Sequence, residues 1–468
     1  MAFNETTGIL EDRRRFGDRS SSIDSAENAP FDDMKQLIGD EEPETTSLKW
    51  ASFNYINSVL GSGVIGMPYA LHEAGFGLGL LLLFLVAFIT DYSLILMVRA
   101  GHLCGRYTYQ GIMEAAFGRP GYILLSILQF VYPFIAMVSY NVIVGDTVTK
   151  VIVRITGCEV DDLIARREFV VFVATLLITI PLCLYRDIAK LAKISFISLL
   201  CLAFIMFSVF VRVGPMKEIV PSHSDNWRFA NWDIIPAIGI MAFAFMCHHN
   251  TFLLYTSIDE ASQKKWDRVT HVSISTSAIV AFLFGISGYA TFAAYSQGDL
   301  LENYCFDDDL MNFCRILFSI QILLTFPIEC FVSREVLELT VFRRDDINVP
   351  ISERAHYLIT LAIIGASYII SMATDCLGVV LELNGVLAAV PLAYLLPAGV
   401  YLRLEEGSLL SRKKLPALCV CIFGLMVATL GTLFLFWDFD EIDTCSHGQA
   451  MFYCENRTHT STTLVDFH

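Results

Sequence analysis

The sequence predicts an all-α polytopic membrane protein with eleven transmembrane helices, the first of them interrupted. Three observations predict it. Of 468 residues, 55% are hydrophobic and only 17% are charged, against about 25% charge in an average soluble domain. Apolar runs of membrane-spanning length recur between Ser47 and Trp437, and about 20 such residues cross a bilayer as a helix. The first run contains Asn57-Ser-Val-Leu-Gly-Ser-Gly-Val-Ile-Gly-Met-Pro68, where Gly61, Gly63, Gly66 and Pro68 oppose the helix that the bilayer demands. Irregular backbone at membrane depth persists only where protein buries it or it lines a cavity. The interruption therefore points to a solute site near the midplane, with close helix packing as the rival reading.

Length and flanking charge place the spans at about 49–71, 76–99, 122–150, 168–185, 191–213, 232–255, 272–296, 310–334, 355–374, 376–403 and 415–437. Residues 1–46 are polar, acidic and rich in Ser, Asp and Glu, which predicts a disordered tail. Residues 47–437 form the membrane domain and 438–468 a short polar tail. The first apolar span lies behind the acidic tail and has no small-residue cleavage site, so it is not read as a removable signal peptide. The string Asp33-Met-Lys-Gln-Leu37-Ile38 fits an acidic dileucine sorting signal, a pattern that also recurs by chance in acidic tails.

Lysine and arginine set the orientation. One set of loops holds seventeen of them, among them Arg99, Lys264, Lys265, Arg403 and Arg412; the opposite face holds nine, among them Lys150, Arg167 and Arg315. The richer face belongs in the cytosol. The N-terminus then lies inside and the C-terminus lies outside the cell or in an organelle lumen, the split that an odd span count requires. Asn456-Arg457-Thr458 is a glycosylation sequon on the outer tail and agrees with it. The net charge of −16 collects in the first 46 residues, in Asp299–Asp309 and after Trp437, which leaves no basic footprint for nucleic acid. The 13 cysteines include no Cys-x-x-Cys pair, so zinc and redox-motif readings lack support. The separations Cys305–Cys314 and Cys445–Cys454 suit disulfides if the outer face is oxidising, although the sequence leaves the pairing open.

If the first ten spans are two inverted five-helix units, span 6 is the counterpart of span 1 and span 11 is an addition. Span 6 contains Pro236, Gly239 and the polar string Met246-Cys-His-His-Asn-Thr251. Interruptions at matching positions of two halves are the best sequence pointer to a transport site. No glycine stands beside the polar string, so this break is inferred from the repeat more than read from the residues.

At these residues the chain resembles the amino acid/auxin permease superfamily, and within it the sodium-coupled neutral amino acid transporters of solute carrier family 38. Asn57–Pro68 is similar to the first-span signature and Tyr140-Asn-Val-Ile-Val-Gly-Asp146 to the third-span string. Phe243-Ala-Phe-Met-Cys-His-His-Asn250 is similar to the sixth span and Thr325-Phe-Pro327 to the eighth. The branch of the family that the adjacent histidines suggest also resembles the vacuolar amino acid transporters of fungi. The resemblance covers roughly residues 47–437. It implies a LeuT-like five-plus-five inverted repeat with broken helices 1 and 6. It also implies movement of neutral amino acids by alternating access with sodium, and in some members with counter-moving protons.

Gly61-Ser62-Gly63 is the candidate carboxylate cradle, because amides at the N-terminus of a half-helix, with the positive end of its dipole, suit an α-carboxylate. Asn57 and Thr325 match the family's ion-binding positions in spans 1 and 8, so the resemblance implies that they hold Na+. Their rival readings are an interhelical hydrogen bond and a hydroxyl bonded back to its own helix. Phe243, Ala244, Phe245 and Cys247 frame the substrate or form an ordinary apolar helix face. Tyr140 joins the substrate set because span 3 faces the broken helices in folds of this type. His248 and His249 are adjacent, point about 100° apart on a helix and do not chelate. His248 is the candidate for proton coupling, with helix-end hydrogen bonding as its rival. Asp91, Asp146, Glu329 and Glu382 are ionisable groups at membrane depth and functional suspects by default. Of these, Asp146 and Glu329 lie near span ends, within reach of the interface.

No nucleophile–base set, metal-binding spacing or phosphate loop occurs. The expectation is no enzyme, no cofactor and no metal other than the coupling sodium, in a plasma-membrane, endosomal or lysosomal protein. Its expected partners are an amino acid, sodium and, through His248, protons. Two alternatives keep the fold: an amino-acid sensor whose tail recruits signalling partners, and a proton-coupled organellar exporter of amino acids.

Overall fold

Backbone groups inside a bilayer must find partners within their own segment or a closed barrel, and this chain answers with helices. The structure, a computed structural model, describes residues 47–159, 162–184, 195–223, 226–341, 352–374, 376–437 and 451–454. No strand occurs among them. The acidic tail with its sorting-signal string, Cys445 and the Asn456 sequon lie outside the described residues.

Span 1 comprises α1 (Leu48–Val59), a 3-10 turn (Ser62–Gly66) and α2 (Met67–Ala74). Then follow α3 (Phe76–Cys104), α4 (Tyr109–Thr156), α5 (Arg167–Leu184) and α6 (Ser195–Lys217). Span 6 comprises α7 (Ile234–Ala244), a 3-10 turn (His248–Asn250) and α8 (Thr251–Ser257). The rest are α9 (Gln263–Phe292), α10 (Asp309–Val341), α11 (Glu353–Ser371), α12 (Leu377–Leu404) and α13 (Leu415–Trp437). Among the described residues, ten segments are long and apolar enough to cross a membrane. The first expected span comes in pieces, each too short to cross alone.

Burial separates an inner bundle from an outer ring. Span 6 is 78% buried over its most apolar stretch and the segments within α6 and α13 only 22%. The outer helices turn Phe207, Phe210 and Leu433 outward, an exposure that acyl chains accept and water would not. Inside, α7 and α12 approach backbone to backbone: a Cβ on Gly385 would lie 2.0 Å from the carbonyl oxygen of Gly239. Gly239 therefore serves packing and not interruption, contrary to expectation. Pro236 sits in the first turn of α7, where its missing N–H leaves no intrahelical bond unmade.

The disulfide expectation is also corrected. Cys305 is bonded to Cys454, 149 residues away, with 5.5 Å between the Cα atoms. Cys314 is a free, buried thiol because it lies inside α10, among packed helices. Cys376 is likewise disulfide-bonded. Neither short-range pairing occurs.

Candidate functional site at the paired interruptions

The two broken spans meet at their breaks. Leu60 ends α1 and Gly61 is extended (φ −101°, ψ −150°). A Cβ on Gly63 would stand 2.5 Å from the Cα of Ala244, the last residue of α7, so only glycine permits this approach. In span 6 the helix is left at Phe245 (φ −93°, ψ 5°) and Cys247 (φ −142°, ψ 6°). Such conformations need no glycine, which is why none marks the break. Below the breaks the halves are pinned. The Tyr55 and Thr251 hydroxyls are 3.0 Å apart, and Asn250 Nδ2 donates to Ser58 Oγ at 2.9 Å. Above them α2 packs against α7.

The cradle residues divide. Ser62 and Gly63 are buried, and Gly63 is occupied by its contact with Ala244. Gly61 is half-buried, and the space where its Cβ would stand is open. The Tyr140 hydroxyl interacts with the side chains of both Ser62 and Glu329, so one phenol joins the first break to spans 3 and 8. Glu329 thus belongs to this site and not to the interface. Phe243 and Phe245 are buried. The ring of Phe243 lies 5.8 Å from Tyr132, whose ring also lies 5.8 Å from His249. Tyr132 was missed from the sequence; its signal was a position about two turns before Tyr140 on one helix. The Cys247 thiol interacts with the Tyr55 hydroxyl. His248 is fully buried, and neither ring nitrogen has a hydrogen-bond partner among the described residues. The helix-end bonding that rivalled its coupling role is not made.

Asn57 is half-buried near the end of α1. Thr325 Oγ1 donates to Gln321 O at 2.9 Å, which leaves its lone pairs available. One turn earlier, Gln321 Oε1 is buried with no partner among the described residues. No hydrogen bond joins Asn57 to Thr325. The other membrane-depth acids are engaged: Asp146 pairs with Arg167 at 3.0 Å and Asp91 with His271 at 2.6 Å, while Glu382 lies near Tyr69. Gly145 clears the way for the first pair, since a Cβ there would stand 2.8 Å from Arg167 Cγ.

A cap covers the end of the bundle where the disulfide lies. A Cβ on Gly298 would sit 2.3 Å from the amide nitrogen of Gly378, so the loop before α10 rests on the start of α12. Lys150 Nζ donates to Glu302 O at 2.8 Å, and buried Arg315 donates to the carbonyls of Leu301, Tyr304 and Cys305. Tyr453 donates to Asn303 O at 2.7 Å. Burial, with the Glu302 carboxylate nearby, pushes Asp299 in this loop up to about 7.

An all-helical membrane protein whose first and sixth spans are broken where they touch has the architecture of a LeuT-like transporter. Two solved mutant forms of a manganese transporter of Eremococcus coleocola are similar in fold, with TM-scores of 0.52 and 0.53 at 14% identity. They match over 89% and 91% of this chain and 92% and 94% of their own. Residues 44–437 match the family described as "Transmembrane amino acid transporter protein", and the chain belongs to that family. It is similar to "Putative sodium-coupled neutral amino acid transporter 11" of Danio rerio, 46% identical over 89% of this chain and 92% of that one. The Homo sapiens protein of that name is 43% identical over 82% and 92%. "Vacuolar amino acid transporter 2" of Saccharomyces cerevisiae is 32% identical over 84% of each.

Proposed function

We propose that the protein is a secondary active transporter that carries neutral amino acids by alternating access, coupled to sodium and exchanging protons. The contact between the two interrupted spans carries this reading, because half-helix ends gathered inside a membrane are how such folds hold a zwitterion and an ion. Relatives named for amino acid transport support the substrate class. In this reading the amide at Ser62, beside the open space at Gly61, receives the α-carboxylate, since Gly61 N already donates to Val59 O at 2.9 Å; carbonyls released at the end of α7 receive the ammonium. Phe243, Phe245 and Tyr132 wall the side chain. Asn57 and Thr325, with Gln321, supply oxygen donors for Na+. Tyr140 and Glu329 link the substrate break to the ion side, and His248, buried without a partner, exchanges the proton. The disulfide lies on the face poorer in Lys and Arg, which supports a cytosolic N-terminus because thiols pair in oxidising compartments. The test is uptake of an amino-acid panel by the purified protein in proteoliposomes, with sodium and pH gradients imposed separately. An inward sodium gradient should drive accumulation. Uptake indifferent to both gradients would refute secondary active transport.

A further inference from the structure

Away from the breaks, a cavity of about 240 Å³ opens among the end of α2, the start of α3, the loop before α7 and the end of α9. Its polar lining is His72, His223, Arg228, Asn231, Tyr289 and Tyr295, without a carboxylate. His72 and His223 stand close enough to repel each other when charged. Arg228 and His223 are exposed to solvent, and Arg228 makes no ion pair among the described residues. Glu73, the acid beside His72 in sequence, is instead bonded to Tyr69 and lies near Asp233.

The walls are built. Phe76 N donates to Arg228 O at 2.9 Å, Leu78 N to Phe229 O at 2.8 Å and Asn231 N to Ala74 O at 2.8 Å. These bonds fasten the Arg228 loop to the turn between α2 and α3. Gly75 holds that turn at φ +82°, and a Cβ there would stand 2.7 Å from the Cα of Ala230. An aromatic side lines it: Tyr289 stacks on Phe76 at 5.1 Å, and Trp227, 60% exposed, packs edge-on against Phe76 at 5.0 Å.

We propose that this cavity is a second ligand site, distinct from the paired breaks, for a small organic monocarboxylate. An unpaired guanidinium can hold a carboxylate through two parallel hydrogen bonds. The neighbouring imidazole rings offer N–H donors, and the phenol rings pack the organic part. The carboxylate is that of an amino acid or of another organic acid, and the chemistry at Arg228 is the same for both.

The test is equilibrium binding of radiolabelled benzoate to the purified full-length protein in nanodiscs, with benzamide as the uncharged analogue. Saturable benzoate binding that benzamide does not displace is expected. Arg228→Gln should weaken it by about tenfold or more, with His72→Gln weakening it less and Asn57→Ala leaving it unchanged. Displacement by L-alanine would extend the site to amino acids; failure to displace would confine it to other organic acids, and either supports the site. Absence of saturable benzoate binding, equal binding of benzamide, or an unchanged affinity in Arg228→Gln would overturn it. None of these readouts depends on flux, so failure here is separate from failure of the transport reading.

Discussion

Gly61 and Gly63 stand two residues apart and answer to different constraints. At Gly63 an added Cβ meets the Cα of Ala244, so Gly63→Val must push the two breaks apart. Overpacking of this kind costs about 1–3 kcal/mol, and the variant should lose uptake together with thermal stability. At Gly61 there is room and the backbone is open to any L-residue. Gly61→Ala should therefore reach the surface normally and raise KM, because its methyl takes ligand space. Surface biotinylation alongside uptake kinetics separates the cases, and parental KM in Gly61→Ala would remove the ligand from that position. The Tyr140 hydroxyl, shared by Ser62 and Glu329, makes a second claim. Tyr140→Phe and Ser62→Ala delete opposite ends of one interaction, so their effects on kcat/KM should fall short of additivity by about 1 kcal/mol. Strict additivity would mean that the bridge plays no part in transport.

At the scale of elements, the pins from Tyr55 to Thr251 and from Asn250 to Ser58 make α1 and α8 one unit across the two breaks. If they move together during the cycle, Asn250→Ala should alter kcat more than KM, and adding Ser58→Ala should change little further. Independent effects of the two substitutions on uptake kinetics would argue against a shared motion. The sequence announced the break in span 1 through Gly61, Gly63 and Gly66, yet the conformation at Gly61 does not itself require glycine. What demands bare backbone is close approach at Gly63, a tertiary fact with a local signature. The break in span 6 has no such signature, because Phe245 and Cys247 adopt angles open to most residues and Gly239 belongs to a different contact. Tyr132 carried only its spacing from Tyr140, whereas Glu329 enters the site through Tyr140 on another helix, which spacing along one chain does not report. The pairing of Cys305 with Cys454 was illegible for the same reason: what brings them together is the seating of residues 451–454 against the cap, not their separation of 149 residues.

For the whole molecule, the cap beside the disulfide couples stability to pH. Asp299 has an ordinary value of 3.8 and is pushed to about 7 by burial, with the Glu302 carboxylate adding to it. Lys150 and Arg315 partly offset this, and Asp146 adds a further acid to the network. Between about pH 4 and pH 7 the folded protein keeps a proton that the unfolded chain has released. Stability from this group therefore falls as pH rises through that window and stays low above it. Asp299→Asn removes the charge, and its side-chain oxygen can still accept from Leu301 N–H, the bond made by Asp299 Oδ1 at 2.8 Å. The variant should melt above the parent at pH 8 and near it at pH 5. Cys454→Ser releases the tail from the same cap, and losing a native disulfide costs about 2–5 kcal/mol in small secreted domains. It should lower Tm at both pH values. Melting curves of the purified protein at the two pH values read all three forms together. If the Asp299→Asn and parent profiles run parallel, the pH response does not originate at Asp299.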